Sequence, residues 1–218
     1  MKTNLLLIPA LVLAIQDNPS TATQTVSAPV ASVVVPLSTR TADEGLLEYA
    51  YFPSVPDMVK AHRSDFFWAK PGLSLKGCIV SSKAWEAKVL RVGRRPEDLE
   101  RAKGLARMLS ESLRTRFQEG SGDLVTWQLG GDGDFSLEGR VVDANVPNTV
   151  SKLMFGWLGG KENLENSTFD LKLVDMRTGE TVLAAHHRIV KVNTLGSLDA
   201  SLRSWTADFA KDLLTILL

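Results

Sequence analysis

Two apolar stripes with helical spacing constrain this chain more than any other feature of it. Leu99, Ala102, Ala106, Leu109, Leu113 and Phe117 recur every three or four residues, and so do Leu198, Leu202, Trp205, Phe209, Leu213 and Ile216. A helix that owns one apolar stripe must bury it against another layer. Pro96 suits the first helical position, and Glu97, Asp98 and Glu100 complement the positive end of the first helix. Arg114 and Arg116 complement its negative end, and Gly120 marks its stop.

Between and before the stripes the period changes to two, the signature of strands. Residues 74–82 are apolar at odd and even positions alike, which predicts a strand buried on both faces. Short strands are expected over 87–92 and 124–128. In 135–146, Phe135, Leu137, Gly139 and Val141 alternate before the phase slips to Val142, Ala144 and Val146, which predicts a bulge. Strands over 168–176 and 182–192 flank the turn 175–180, where Gly179 is best able to adopt a positive φ. The expected fold is α+β: a mixed, mostly antiparallel sheet with the two amphipathic helices packed on one face.

The N-terminus reads as an address. Met1-Lys2 supplies a charge, residues 5–14 are almost unbroken in apolarity, and small residues follow, with cleavage expected after Ala14 or Ala22. The run is shorter than the roughly 20 residues that span a bilayer. The expected organisation is a signal peptide over 1–22, a disordered linker over 23–44, an irregular aromatic preface over 45–73 and an α+β domain over 74–218. The linker is rich in Ser, Thr, Ala and Pro, too poor in apolar surface to offset its ordering entropy. Prolines at 53, 56 and 71 punctuate the aromatics of the preface. No cysteine follows the leader, so the expected product is exported, periplasmic or extracellular, and not lipidated.

Lys plus Arg number 25 and Asp plus Glu number 25, so no overall field draws the chain to nucleic acid. The single cysteine, Cys78, rules out an intrachain disulfide and sits in a strand-like run where a small buried hydrophobe is expected. His62, His186 and His187 are the only imidazoles. Neighbours on a strand point to opposite faces, so His186 and His187 are read as packing residues and not as a metal pair. Asp132-Gly133-Asp134, with Asp123 nearby, is read as a turn, since it lacks the rest of a calcium loop. There is no Gly-x-Ser-x-Gly elbow. The expectation is therefore no catalytic residue, no cofactor and no metal. The loop 151–160 stands apart: Leu153, Met154, Phe155, Trp157 and Leu158 lie among glycines, as an exposed apolar finger for a protein partner or a membrane surface, or as a flap closing the sheet edge.

The helix 96–119, the strand Phe135-Ser136-Leu137-Glu138-Gly139, the glycine loop 155–160 and the run Leu173-Val174-Asp175-Met176-Arg177-Thr178-Gly179-Glu180 resemble uncharacterised bacterial envelope families, many of them lipoproteins. The preface segments Gly45-Leu46-Leu47-Glu48-Tyr49 and Trp68-Ala69-Lys70-Pro71-Gly72 are similar to the region ahead of that domain in some members. The resemblance implies an envelope setting and brings no catalytic residues with it. The expected function is an exported, non-enzymatic interaction or assembly module with an unidentified envelope protein as partner, peripheral membrane contact as an option, and no assigned oligomeric state. Two alternatives stand beside it. A hydrolase-type enzyme needs His187 or Cys78 within hydrogen-bond reach of a carboxylate in a pocket. A small-ligand or lipid carrier needs an apolar cavity between sheet and helices.

Overall fold

The computed structural model describes residues 47–90, 95–145, 164–192 and 197–218, all within the unit Val34–Leu218. The leader, the linker and the apolar loop carrying Leu153, Met154, Phe155, Trp157 and Leu158 lie outside the described residues. The elements run β1 (Val59–Ala61), β2 (Ser64–Ala69), β3 (Ile79–Ser82), β4 (Glu86–Ala87), α1 (Pro96–Ser121), β5 (Thr126–Leu129), β6 (Phe135–Asn145), β7 (Leu164–Asp175), β8 (Thr181–Val192) and α2 (Leu198–Leu217). The sheet order is β1-β2-β8-β7-β6-β3-β5, with β4 beside β6. β6, β7 and β8 form an antiparallel meander extended by β2 and β1, whereas β3 and β4 run parallel to β6, and β5 runs parallel to β3. The fold is α+β. The connection from β3 to its parallel neighbour β5 contains α1, as a parallel crossover requires.

Both stripes pack on the same sheet face. Ala102, Ala106, Leu109, Leu113 and Phe117 of α1 and Leu202, Trp205, Phe209 and Leu213 of α2 join Leu137, Val141, Phe169, Leu171 and Ala185 in one core. Leu99 and Ile216, expected in the stripes, are exposed. The inward position of the first turn of α1 belongs instead to Asp98, whose carboxylate accepts the Arg95 N–H at 3.1 Å. At the other end Leu217, four residues after Leu213, faces the core. α1 runs past Gly120 to Ser121, and α2 is capped by Ser197, whose Oγ accepts from the Ala200 N–H at 3.2 Å.

The phase slip in β6 is a bulge, with the register against β7 shifting between Val141 and Asp143. Gly179 sits in the β7–β8 turn at φ 74°. The strand expected over 74–82 is shorter, because Gly77 at φ 74° turns the chain and β3 starts only at Ile79. Cys78 therefore precedes the strand and is half-exposed, not buried. Of the strand expected over 87–92, residues 91 and 92 lie outside the described residues and the rest is shortened to Glu86–Ala87, although the Lys88 and Leu90 N–H groups still donate to Val141 and Val142.

The preface departs most from expectation. Phe66-Phe67-Trp68 carries no proline, and it forms β2, paired to β8 in the register Phe66↔His186 and Trp68↔Ala184. Residues 47–58 precede the strands and cross the sheet face away from the helices. Phe52, Val55 and Met58 bury themselves there against Phe66 and Ala184. This segment is a strap over that face.

Candidate functional site

His186 and His187 end on opposite faces of β8, as strand geometry demands. On the strap face the register aligns Arg140 of β6, Asp170 of β7 and His186 of β8 in one row. All three are fully buried. Asp170 Oδ1 lies 2.6 Å from His186 Nδ1, and Oδ2 accepts from Arg140 Nε at 2.7 Å. Arg140 Nη2 is also 2.7 Å from Oδ2, an ion-pair contact without hydrogen-bond geometry. Nη1 donates to Glu48 Oε2 at 2.6 Å, where Lys88 Nζ also arrives at 3.3 Å. The Tyr51 ring covers the guanidinium at 3.9 Å and lies 4.3 Å from Lys172 Nζ. A buried charge is tolerated only when paired and hydrogen-bonded. Glu48 and Tyr51 of the strap complete that pairing, and burial pushes the Tyr51 phenol well above its ordinary pKa. The hydrogen bond from Arg140, then that from Lys88, holds the Glu48 carboxyl below the usual range.

On the helix face His187 Nδ1 is 2.9 Å from Asp65 Oδ2, which also accepts the Arg188 N–H at 2.9 Å. Burial alone would raise the Asp65 pKa, but these two donors outweigh it and hold it low. The imidazole stacks on Trp205 at 5.2 Å and meets the edge of Phe169 at 5.8 Å. The Trp205 N–H donates to the Arg63 carbonyl at 2.7 Å, and the Arg63 guanidinium lies 3.4 Å from Asp208 and 3.3 Å from Asp212. These contacts pin the β1–β2 turn, in which His62 and Arg63 both have positive φ, 45° and 57°. Successive positive φ values suit the twist of a tight hairpin. Beside the dyad lies a groove of about 450 Å³ lined by Lys60, Ser201, Ser204 and Asp208. An imidazole oriented by a carboxylate at the wall of a groove is the geometry of a general base.

The third feature is the sheet edge at β5. The Thr126 and Gly130 N–H groups donate to the carbonyls of Cys78, just ahead of β3, and of Ser82 at its end. With a period of two, the N–H and C=O of Trp127 and Leu129 point the other way, to an edge with no neighbour among the described residues. Leu129 is 74% exposed and Leu124, just ahead of β5, is 48% exposed, while Ile79, opposite Thr126 on β3, is 40% exposed on the other sheet face. Trp127 itself stacks on Phe117 at 5.0 Å and donates to Ser121 Oγ at 2.9 Å.

Asp134, read as part of a turn, accepts the Ile79 N–H at 2.8 Å and ties that turn to β3. Among the described residues no three His, Cys, Asp or Glu side chains gather as a metal site would require. No described helix is long and apolar enough to cross a membrane. Burial, and then Asp134, raises the Cys78 thiol pKa. Sequence reasoning missed Arg140 and Asp170, which occupy the polar phase of their strands, and Asp65, which lies on the helix face of β2 in phase with Phe67 and Ala69. The one available signal was opposite charge at Arg140 and Asp170, visible only once the register is known.

No family model matches the chain, and no curated protein matches it. Among solved structures, it is similar to PelC of Paraburkholderia phytofirmans, a dodecamer, at TM-score 0.46 and 12% identity, over 68% of this chain and 94% of that one. A Xanthomonas campestris protein from a family of unknown function follows at TM-score 0.42 and 12% identity, over 67% and 86%. A hypothetical protein of Chlamydia trachomatis gives 0.35 and 9%, over 63% and 86%. At this level of likeness none of them transfers a role to this chain.

Proposed function

We propose that this is an exported protein of the bacterial envelope whose domain acts by contact, adding a strand of a partner protein to the β5 edge. The observation that carries the reading is the outward direction of the Trp127 and Leu129 backbone groups beside exposed Leu124 and Leu129. An unpaired edge flanked by apolar side chains is what strand addition uses. The apolar leader supports export, and the residues Leu153, Met154, Phe155, Trp157 and Leu158 are a second contact in this proposal. Leu129→Pro removes one outward N–H, leaves the bonds to β3 intact and disturbs no core. Cross-linking in intact cells should lose its adduct in this variant while thermal unfolding is unchanged. An unaltered adduct rejects the edge, and loss of the adduct only in a Phe155→Ser/Trp157→Ser variant moves the contact to the loop.

The Asp65–His187 dyad favours a second reading, hydrolysis. His187 Nε2 would take the proton of a water attacking an acyl carbon, with Asp65 holding Nδ1–H. Turnover of p-nitrophenyl esters that disappears in His187→Gln supports it. Equal rates for both proteins reject it.

A further inference from the structure

A groove of about 660 Å³ lies between α1, the β3–β4 segment and the end of β5, apart from the dyad and sharing with the β5 edge the Leu129 side chain. Ala84, Trp85, Ala87, Ala106 and Leu129 line it with apolar surface, and Lys103, Arg107 and Arg114 of α1 stand along it against one acid, Glu111. Residues at these spacings of four and seven share one side of a helix. Lys103 is paired to Glu100 at 2.7 Å and Arg114 donates to Gln118 at 3.4 Å, but Arg107 has no partner among the described residues. Trp85 exists in this position because residue 139 is glycine: a Cβ there would overlap the indole ring. The strand pattern Phe135–Gly139 thus has a consequence beyond packing, since Gly139 lets the indole lie on β6 beside the groove. The buried Trp85 N–H finds no acceptor among the described residues, and a buried donor without a partner is costly.

We infer that this groove binds a single-chain anionic amphiphile, a long-chain carboxylate whose tail lies on Trp85 and the alanines and whose head meets Arg107 and Arg114. The volume falls in the range of small-molecule sites, and the combination of an apolar wall with a few convergent polar groups is what such sites share. An acidic peptide fits less well, because its backbone N–H and C=O groups would lose water against apolar side chains that cannot replace it.

The test uses the full chain without its leader, delipidated and titrated with monomeric oleate, read by the Trp85 indole N–H resonance. Oleate should shift that resonance saturably, and dodecyltrimethylammonium, with a chain but the opposite charge, should not. Arg107→Glu/Arg114→Glu should weaken binding roughly tenfold, the scale of two exposed ion pairs reversed. Ala84→Trp, at an exposed alanine, should abolish binding by filling the groove while thermal unfolding stays unchanged. Equal binding of both amphiphiles, or an unchanged affinity in the charge-reversal variant, overturns the inference. So does displacement of oleate by hexaglutamate, which would make the groove a site for acidic polypeptide.

Discussion

Across β6, β7 and β8, the residues facing the helices include Leu137, Val141, Phe169, Leu171 and Ala185, while those facing the strap include Arg140, Asp170, Lys172 and His186. The helix face is closed by two long elements that each bring a full stripe, so dispersion and the hydrophobic effect suffice. The strap is a short irregular segment that brings Phe52, Val55 and Met58, and the rest of its seal is electrostatic. The first kind of closure tolerates loss of a methyl group in proportion to its size. The second depends on every charge keeping its partner.

The comparison is broken most severely by Asp170→Ala, which leaves the buried Arg140 guanidinium with the part-exposed Glu48 alone as its carboxylate partner. A loss of about 3–5 kcal/mol in urea unfolding is expected. Leu109→Ala, its counterpart on the helix face, should cost about 2–5 kcal/mol by the same measurement, scaling with the cavity left. Gly139→Ala forces Trp85 to move and should cost about 1–3 kcal/mol, with a changed indole environment in near-ultraviolet circular dichroism. Glu48→Gln is the mildest, at most about 1 kcal/mol, because Glu48 is 39% exposed and its ion pairs are screened by solvent. Its pH dependence sharpens the contrast. The folded-state pKa of Glu48 lies below its unfolded value, so its contribution is complete above about pH 4 and is lost as pH falls through the folded value. Stability of Glu48→Gln measured over that acid range should fall less steeply than that of the parent chain.

The helix face was legible in the sequence because periodicity reports one-sided burial directly. Both stripes, the β6 bulge and the Gly179 turn follow from residue spacing alone. Leu99 and Ile216 were misplaced at helix ends, where the stripe leaves the sheet and a neighbour takes the inward position. The strap face was not legible, since a charged residue in the polar phase of a strand reads as solvent-facing whether or not something covers it. Arg140 and Asp170 are 30 residues apart, and only the strand register brings them together. Asp65 and His187, 122 residues apart, raise the same difficulty. β2 was hidden by the prolines around it, although Phe66-Phe67-Trp68 contains none.

Residue-resolved amide exchange on the isolated mature protein tests the free edge most directly. Trp127 and Leu129, whose N–H groups face outward, should exchange rapidly, and Thr126 and Gln128, directed at β3, should be protected, giving alternation along β5. When the cross-linked partner is present, the rapid pair should slow to the rate of its neighbours. Equal protection of all four amides in the isolated chain would mean that the edge is already covered, and would contradict partner binding at β5.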